Sequence, residues 1–152
     1  MKNKKYLNIY VDTNVMVNFF TGIDADKKCL MYLFSKRNKE RLFTSALALV
    51  QVAQVLQTKK KSRAAFSLDK TDECLKYLIS KFTVLDLNNN DIIDSISSPS
   101  ENKDLEDIVH YQISQKKNCM AIITNNAKHF VNMMNVNIFE PVRLGIIRQN
   151  IS

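Results

Sequence analysis

Short runs of β-branched and aromatic residues alternate along this chain with longer stretches whose apolar residues repeat at helical spacing. This alternation constrains the fold more than any other feature, because strands separated by helices are typical of a parallel sheet with helices on both faces. We therefore predict an α/β fold, with three layers (α/β/α) around a central parallel sheet of four to five strands. The segments expected to be strands are residues 7–11, 41–44, 82–87, 120–124 and 137–139.

Helical patterns fill the intervals between the predicted strands. Apolar residues three and four positions apart, with lysines on the other face, mark the second of these helices. Residues 88–103 are polar and form the most loop-like stretch, although three isoleucines within it also fit a short helix. The segments expected to be helical are residues 14–21, 24–39, 46–60, at least part of 63–81, and 104–116, with a turn and a short helical piece at 125–130.

The composition is that of one globular domain, and we expect residues 1–152 to form it: 45% of the residues are hydrophobic and 24% are charged. Only two glycines are present, so no Gly-rich phosphate-binding loop exists. Three cysteines without a CxxC pair are typical of reduced thiols in the cytosol. Because no apolar run approaches the roughly 18 residues of a membrane span, we expect a cytoplasmic protein with no membrane partner.

The chain is basic, with a formal net charge of +7. Such a surface suits a polyanion, and RNA, DNA, an acidic protein or a lipid headgroup all remain candidates. Basic runs occur at residues 2–5, 36–41 and 59–63. Any single run is most simply a solvated face or a helix end, whereas the set as a whole favours RNA binding more.

Polar and acidic residues follow the predicted strands, at the edge where ligands bind in folds of this kind. Clustered carboxylates repel one another unless a cation neutralises them, and a hard ion such as Mg²⁺ takes oxygen ligands. A metal site within a basic protein is suited to the cleavage of a phosphodiester polyanion. The residues concerned are Asp12, Thr13 and Asn14 after the first strand, Thr44, Ser45 and Gln51 after the second, Asp104, Glu106 and Asp107 before the fourth, and Thr124, Asn125 and Asn126 after it.

Three segments of the chain resemble the PIN domain family. IYVDTNVMVNFF is similar to the opening strand of that family, which delivers an Asp in a D-T/S-N context. DLEDIVHYQISQKKNCMAIITNNAKHF resembles its second signature, and IFEPVRL resembles the strand and proline that close the domain. The resemblance covers nearly the whole chain and implies a Mg²⁺- or Mn²⁺-dependent ribonuclease that acts on RNA. It also implies a toxin with an antitoxin partner and a homodimer, because many small bacterial members have these properties.

The resemblance implies roles for individual residues as well. Asp12 matches the first acid of the family, and Asp107 matches the acid at the start of the penultimate helix. Both are therefore expected to hold the metal and to act in catalysis, and Asp104, one turn earlier, is a third catalytic candidate. The residues expected to orient water or the phosphate are Asn14, Gln51, Thr124 and Asn126.

Three positions depart from the family pattern. Gln51 stands where the family usually has a Glu, six residues beyond Ser45. Asn126 stands where an Asp is frequent, and so does His129, for which no partner is apparent in the sequence. The site is therefore expected to keep two or three of the usual four carboxylates, which predicts weaker metal binding and lower activity.

Each candidate also has a purely structural explanation. Asp12 can cap the first helix, and Asp104 and Asp107 both suit a helix N-terminus electrostatically. Glu106 is expected to point away from the site as a solvated charge. His110, three residues after Asp107, is expected to lie at the surface or to be half-buried.

Two other functions compete with the ribonuclease. The first is a PIN fold that has lost catalysis and serves as an RNA-binding or protein-interaction module, as the departures at Gln51 and Asn126 suggest. The second is an aspartyl-phosphate phosphotransferase on a similar sheet. That chemistry requires a second Asp two residues after the first, and Asn14 occupies this position.

Overall fold

The computed structural model of the protein describes residues 6–35, 40–98, 104–131, 133 and 135–143. Several predictions fall partly outside these residues. They concern the basic runs at 2–5 and 36–39, the end of the second helix, residues 99–103 of the 88–103 stretch, and the last residue of the IFEPVRL motif.

Five parallel strands form one sheet in the order β3-β2-β1-β4-β5, which confirms the predicted three-layer α/β/α fold. β1 is the central strand, and its Tyr10 pairs with Phe43 of β2 on one side and Ile122 of β4 on the other. The residues that follow β1, β2 and β4 therefore meet at one edge of the sheet. The strands are β1 (Leu7–Val11), β2 (Glu40–Ser45), β3 (Thr83–Leu85), β4 (Ala121–Ile123) and β5 (Asn137–Phe139).

Helices connect the strands at the predicted places. The first ends at Gly22, whose φ of 85° is the left-handed conformation that glycine adopts readily after a helix. The fourth begins only at Leu68, because the side chain of Ser67 caps it there. The helices are α1 (Thr13–Thr21), α2 (Asp24–Ser35), α3 (Ala46–Gln57), α4 (Leu68–Lys81), α5 (Asn89–Ile96) and α6 (Leu105–Gln115), with a 3₁₀ turn at Ala127–His129.

The 88–103 stretch is less loop-like than its composition predicts, because its first half forms α5. A reciprocal capping box starts this helix: the Asp91 amide donates to Asn88 Oδ1 (3.1 Å), and the Asn88 amide donates to Asp91 Oδ2 (2.9 Å). Lys116 also binds Asp91 Oδ2 at 2.6 Å, which ties α5 to the end of α6. The isoleucine pattern was therefore a better guide than the polar composition.

The two faces of the sheet carry separate apolar clusters. Ile9 and Val11 of β1 pack with helices α1 to α4, whereas Tyr10 and Ile122 face the opposite way and pack with α6. This alternation follows from the two-residue period of a strand. It sends the Tyr10 hydroxyl toward the helix that carries Asp107.

The structure also bears on the predictions made from the hydrophobic runs and from the three cysteines. Within the described part of the chain, no helix has the length and apolarity needed to cross a membrane. Cys29, Cys74 and Cys119 are buried, and burial raises the pKa of Cys119 to about 12.

Neighbouring residues of α4 provide a test of the core. Leu78 is fully buried and Ile79 is 56% exposed. We expect Leu78→Ala to lower the free energy of unfolding by about 2–5 kcal/mol, because it removes buried methyl groups and leaves a cavity. Ile79→Ala should lower it by no more than about 1 kcal/mol. Urea unfolding of both variants measures the difference, and equal losses would contradict the burial of this helix face.

Candidate active site

Asp12 occupies the end of the central strand and begins α1. Its Oδ1 accepts the Thr13 amide at 2.7 Å, and its Oδ2 accepts the Thr124 hydroxyl at 2.7 Å and the Asn14 side-chain amide at 3.1 Å. The residue is only 4% exposed. The Asp12 carboxylate therefore does both things that the sequence suggested, because it caps α1 and also lines a cavity at the strand ends.

A cavity of about 330 Å³ opens beside Asp12 at the strand ends. It brings together four of the residues proposed from the sequence, which come from three separate segments of the chain. Its remaining walls are formed by residues of α1, α3, α6 and the turn after α3, namely Thr13, Val17, Asn18, Val55, Glu106 and Lys60. The four proposed residues in its walls are Asp12, Asn14, Asp107 and Asn126.

Asp107 is buried and makes a contact that the sequence did not reveal. His129 Nδ1 lies 2.7 Å from Asp107 Oδ2, and because the carboxylate only accepts, the ring nitrogen donates. Burial raises the pKa of the Asp107 carboxyl and the charge of Asp12 adds to this, whereas the hydrogen bond from His129 opposes it. Asp107 therefore lies in an environment that disfavours its negative charge until a cation arrives.

Asp104 and Glu106 are both exposed, and of the two only Glu106 lines the cavity. Glu106 lines the cavity, and the pKa of its carboxyl is raised by partial desolvation and by the neighbouring carboxylates, against the opposing influence of His110. Asp104 is exposed and caps α6, accepting the Glu106 amide at 3.0 Å, and it is not among the residues that line the cavity. Because Asp104 accepts the Glu106 amide, its short side chain is directed at its own helix. Glu106 lies two residues further on, in the first turn of α6.

Gln51 takes part in a buried polar network behind Asp12. Its Oε1 accepts the Thr13 hydroxyl at 2.7 Å and lies 2.9 Å from His110 Nε2. His110 Nδ1 lies 2.6 Å from the Tyr10 hydroxyl, which is 2.8 Å from the Ser45 hydroxyl. Gln51 thus contacts the Thr13 side chain at the start of α1, and it is not among the residues that line the cavity.

The expectation for His110 was wrong, because this side chain is fully buried. His110 Nε2 donates to Gln51 Oε1, and the Tyr10 hydroxyl donates to Ser45 Oγ, which also accepts the Ala48 amide at 3.0 Å. Burial also raises the pKa of Tyr10, so its hydroxyl stays protonated. The sequence signal that was available is the apolar neighbourhood IVHY, in which a histidine on the sheet side of α6 becomes buried.

Three further contacts fix the turn after β4: one lies within the turn, one reaches α1 and one reaches α2. The Asn126 amide donates to Thr124 Oγ1 at 3.0 Å, and the Asn125 amide donates to Asn14 Oδ1 at 3.0 Å. The Asn125 side chain donates to Asp26 Oδ1 at 2.6 Å. Asp26 is buried, which raises the pKa of its carboxyl, and the sequence analysis missed it because α2 shows no motif.

The donor set fits a hard divalent ion that keeps part of its water shell. Asp12 and Asp107 supply carboxylates in one cavity, and one or two carboxylates with waters and substrate phosphates are the usual protein ligands of Mg²⁺. Among the described residues, no three His, Cys, Asp or Glu side chains are grouped closely enough to enclose a metal by themselves. The part of the chain that the structure describes thus offers an open site and no closed structural one.

Comparison with known proteins identifies relatives of the chain and of its fold. A family model of the PIN domain matches residues 9–133. No curated protein sequence matches the chain. Among solved structures, similarity extends to VapBC2 from Rickettsia felis, bound to a DNA fragment from its promoter (15% identity, TM-score 0.59, covering 88% of this chain and 98% of that one).

Two further solved structures have the same fold. One is VapBC-1 from nontypeable Haemophilus influenzae, with 14% identity and a TM-score of 0.62 over 89% of this chain and 98% of that one. The other is VapC20 from Mycobacterium tuberculosis, a toxin that cleaves the sarcin-ricin loop, with 13% identity and a TM-score of 0.61 over 85% of this chain and 98% of that one. At these identities the likeness concerns the fold alone.

The raised pKa of Asp107 predicts a pH dependence of stability in the metal-free protein. Between the usual Asp value and the raised one, the unfolded chain loses this proton first, so rising pH destabilises the folded state. Asp107→Asn cannot lose a proton, and we expect its stability relative to the parent protein to increase across that window.

Urea unfolding in EDTA, from about pH 4 to about pH 7, measures this difference. Asp104→Asn is the matched control, because Asp104 is exposed and Asn caps a helix as well as Asp does. If the free energy of unfolding of Asp107→Asn changed with pH in parallel with that of the parent protein, the result would contradict the burial of the Asp107 charge.

Proposed function

This chain belongs to the PIN domain family, and we propose that it is a Mg²⁺- or Mn²⁺-dependent endoribonuclease that acts as the toxin of a toxin–antitoxin pair. The observation that carries the proposal is the cavity in which Asp12 and Asp107, distant in sequence, present carboxylates beside Asn14 and Asn126. The family supplies a nuclease precedent, and one structural neighbour is a toxin that cleaves the sarcin-ricin loop.

Asp12 and Asp107 are the residues that would hold the ion. When bound, a divalent metal supplies an activated water and stabilises the charge that develops on the phosphate. The chain's own contribution is orientation: Thr124 and Asn14 both donate to Asp12 Oδ2, and His129 donates to Asp107 Oδ2. Fixed partners of this kind keep ligand carboxylates in one rotamer.

The other polar residues would act on the substrate. Asn126 lines the cavity, and its side chain would orient the phosphate or a water. Gln51 acts one step further back, because it holds Thr13 and thereby the turn that carries Asp12. Asp104 is retained only as a capping residue in this proposal, and Glu106 takes its place near the reacting groups.

The proposed partners are RNA, an antitoxin protein and a second copy of the chain, in the cytoplasm. The antitoxin is supported by structural neighbours that are toxin–antitoxin complexes, including VapBC2 and VapBC-1. RNA is supported by the net charge of +7 around an acidic cavity, because such a charge draws in a polyanion before the metal site engages it.

A second candidate function is a binding module that has lost catalysis. It is favoured by one observation: Gln51, at the usual position of a family acid, is bound to Thr13 and His110 and contributes no charge. Both candidates predict RNA or partner binding, so only a catalytic assay separates them.

The first experiment is RNA cleavage by the purified protein in Mn²⁺ and in EDTA. We expect cleavage only with the metal, and we expect Asp12→Asn to lower it at least about 100-fold, beyond the usual 10–100-fold loss for residues one step removed from a metal. Asp24→Asn is the matched control, because Asp24 is an exposed acid in the following helix. Folded protein that binds RNA but never cleaves it would favour the binding module.

Gln51→Glu tests whether the lost family acid limits metal binding. The new carboxylate would lie where His110 Nε2 is 2.9 Å away and beside the Asp12 turn. We expect Mn²⁺ to bind on the order of tenfold more tightly, because an added negative charge near the site contributes about 1.4 kcal/mol. Calorimetric titration of Mn²⁺ measures this.

Gln54→Glu adds the same charge to an exposed position of the same helix and serves as the control. An equal gain in both variants would assign the effect to overall charge and not to position 51.

A further inference from the structure

Lys60 places a basic side chain at the acidic cavity. Among the described residues, it is the one basic residue in the cavity wall that contains Asp12, Glu106 and Asp107. It is exposed, and no ion pair within the described part of the chain involves it. Its ammonium group is therefore available to an anion from outside.

The backbone around Lys60 is held in a tight turn after α3. The Lys60 amide donates to the Arg63 carbonyl at 3.1 Å, and the Arg63 amide donates back at 3.3 Å. The Arg63 guanidinium donates to the carbonyls of Val55 (2.8 Å) and Leu56 (3.2 Å) at the end of α3. Arg63 is thus committed to closing the helix, whereas Lys60 is positioned by the same turn and keeps a free side chain.

A second cavity, of about 340 Å³, continues from the acidic one. The two cavities share Val17, Asn18, Val55 and Lys60, and the second extends to Ser62 and Arg63. Together they form a groove, which we call the Lys60 groove, with carboxylates at one end and Lys60 between its two halves. Each half has the volume of a small-ligand site, which suits one nucleotide strand and not a double helix.

We propose that Lys60 binds the phosphate next to the scissile phosphate of a single-stranded RNA lying in the Lys60 groove. The inference rests on the proposed nuclease function, which places the scissile phosphate at Asp12 and Asp107. An adjacent phosphate would then lie along the groove, in the direction of Lys60. Among the described residues, Lys60 is the one basic residue that lines both cavities. An ammonium group is a compact charge with three donors and matches a phosphate oxygen from several directions.

The contact would also offset a repulsion. The three carboxylates of the cavity repel an approaching polyanion, and a lysine at the junction of the two cavities lowers that barrier for one register of the strand. Lys60 is therefore a positioning residue for the substrate and does not act on the reacting atoms.

The test is RNA binding without cleavage, measured in EDTA with a short labelled single-stranded RNA of mixed sequence. Each phosphate contact to a single strand contributes about 0.7 to the slope of log K against log salt. We expect Lys60→Gln to lower that slope by about 0.7 and the affinity about fivefold at ~0.1 M salt. Lys60→Arg should retain most of the slope.

Lys59→Gln is the matched control, because Lys59 is the preceding exposed lysine and does not line either cavity. An equal loss in both variants, or no loss in Lys60→Gln, overturns the proposal, as does an absence of RNA binding by the parent protein. A loss of RNA affinity in Lys60→Gln that is absent from Lys59→Gln supports phosphate binding by Lys60. If the parent protein also fails to cleave RNA in Mn²⁺, the two results together reject the nuclease function and retain the Lys60 contact.

Discussion

The buried carboxylate of Asp12 is the interaction on which the rest of the site depends. It terminates the central strand, caps α1 through the Thr13 amide and receives the hydroxyl of Thr124 from β4. The Asp12 amide also donates to the Ile123 carbonyl at 2.9 Å. One residue therefore joins two strands and a helix, and the cost of burying its carboxylate is offset by two donors from α1 and one from the turn after β4.

The polar network behind Asp12 explains how the chain accommodates a neutral residue at a position that is usually acidic in the family. Gln51 accepts two hydrogen bonds on one oxygen, from Thr13 and from a fully buried His110. Gln51 thus supplies hydrogen-bond acceptors to the interior network and contributes no charge beside Asp12.

The cavity is rich in carboxylates although the chain as a whole is basic. Asp107 and Glu106 have raised pKa values because they are desolvated and lie near other carboxylates. A cation bound beside these carboxylates would relieve this repulsion, and the net charge of +7 favours the approach of a polyanion to the protein. At Asp107, the negative charge that the proposed metal site requires is itself unfavourable in the buried cavity wall.

The sequence by itself determined the alternation of strands and helices, the parallel sheet, and the arrival of Asp12 and Asp107 at one edge. These features follow from local periodicity and from chain direction, which are written in neighbouring residues. The contacts of His129 with Asp107, of Asp26 with Asn125 and of His110 with Gln51 were decided only by the tertiary structure. Each joins residues from different elements, and such contacts depend on how helices rotate and pack against the sheet. Spacing along one segment carries no information about that rotation, so it did not predict that Glu106, and not Asp104, would line the cavity.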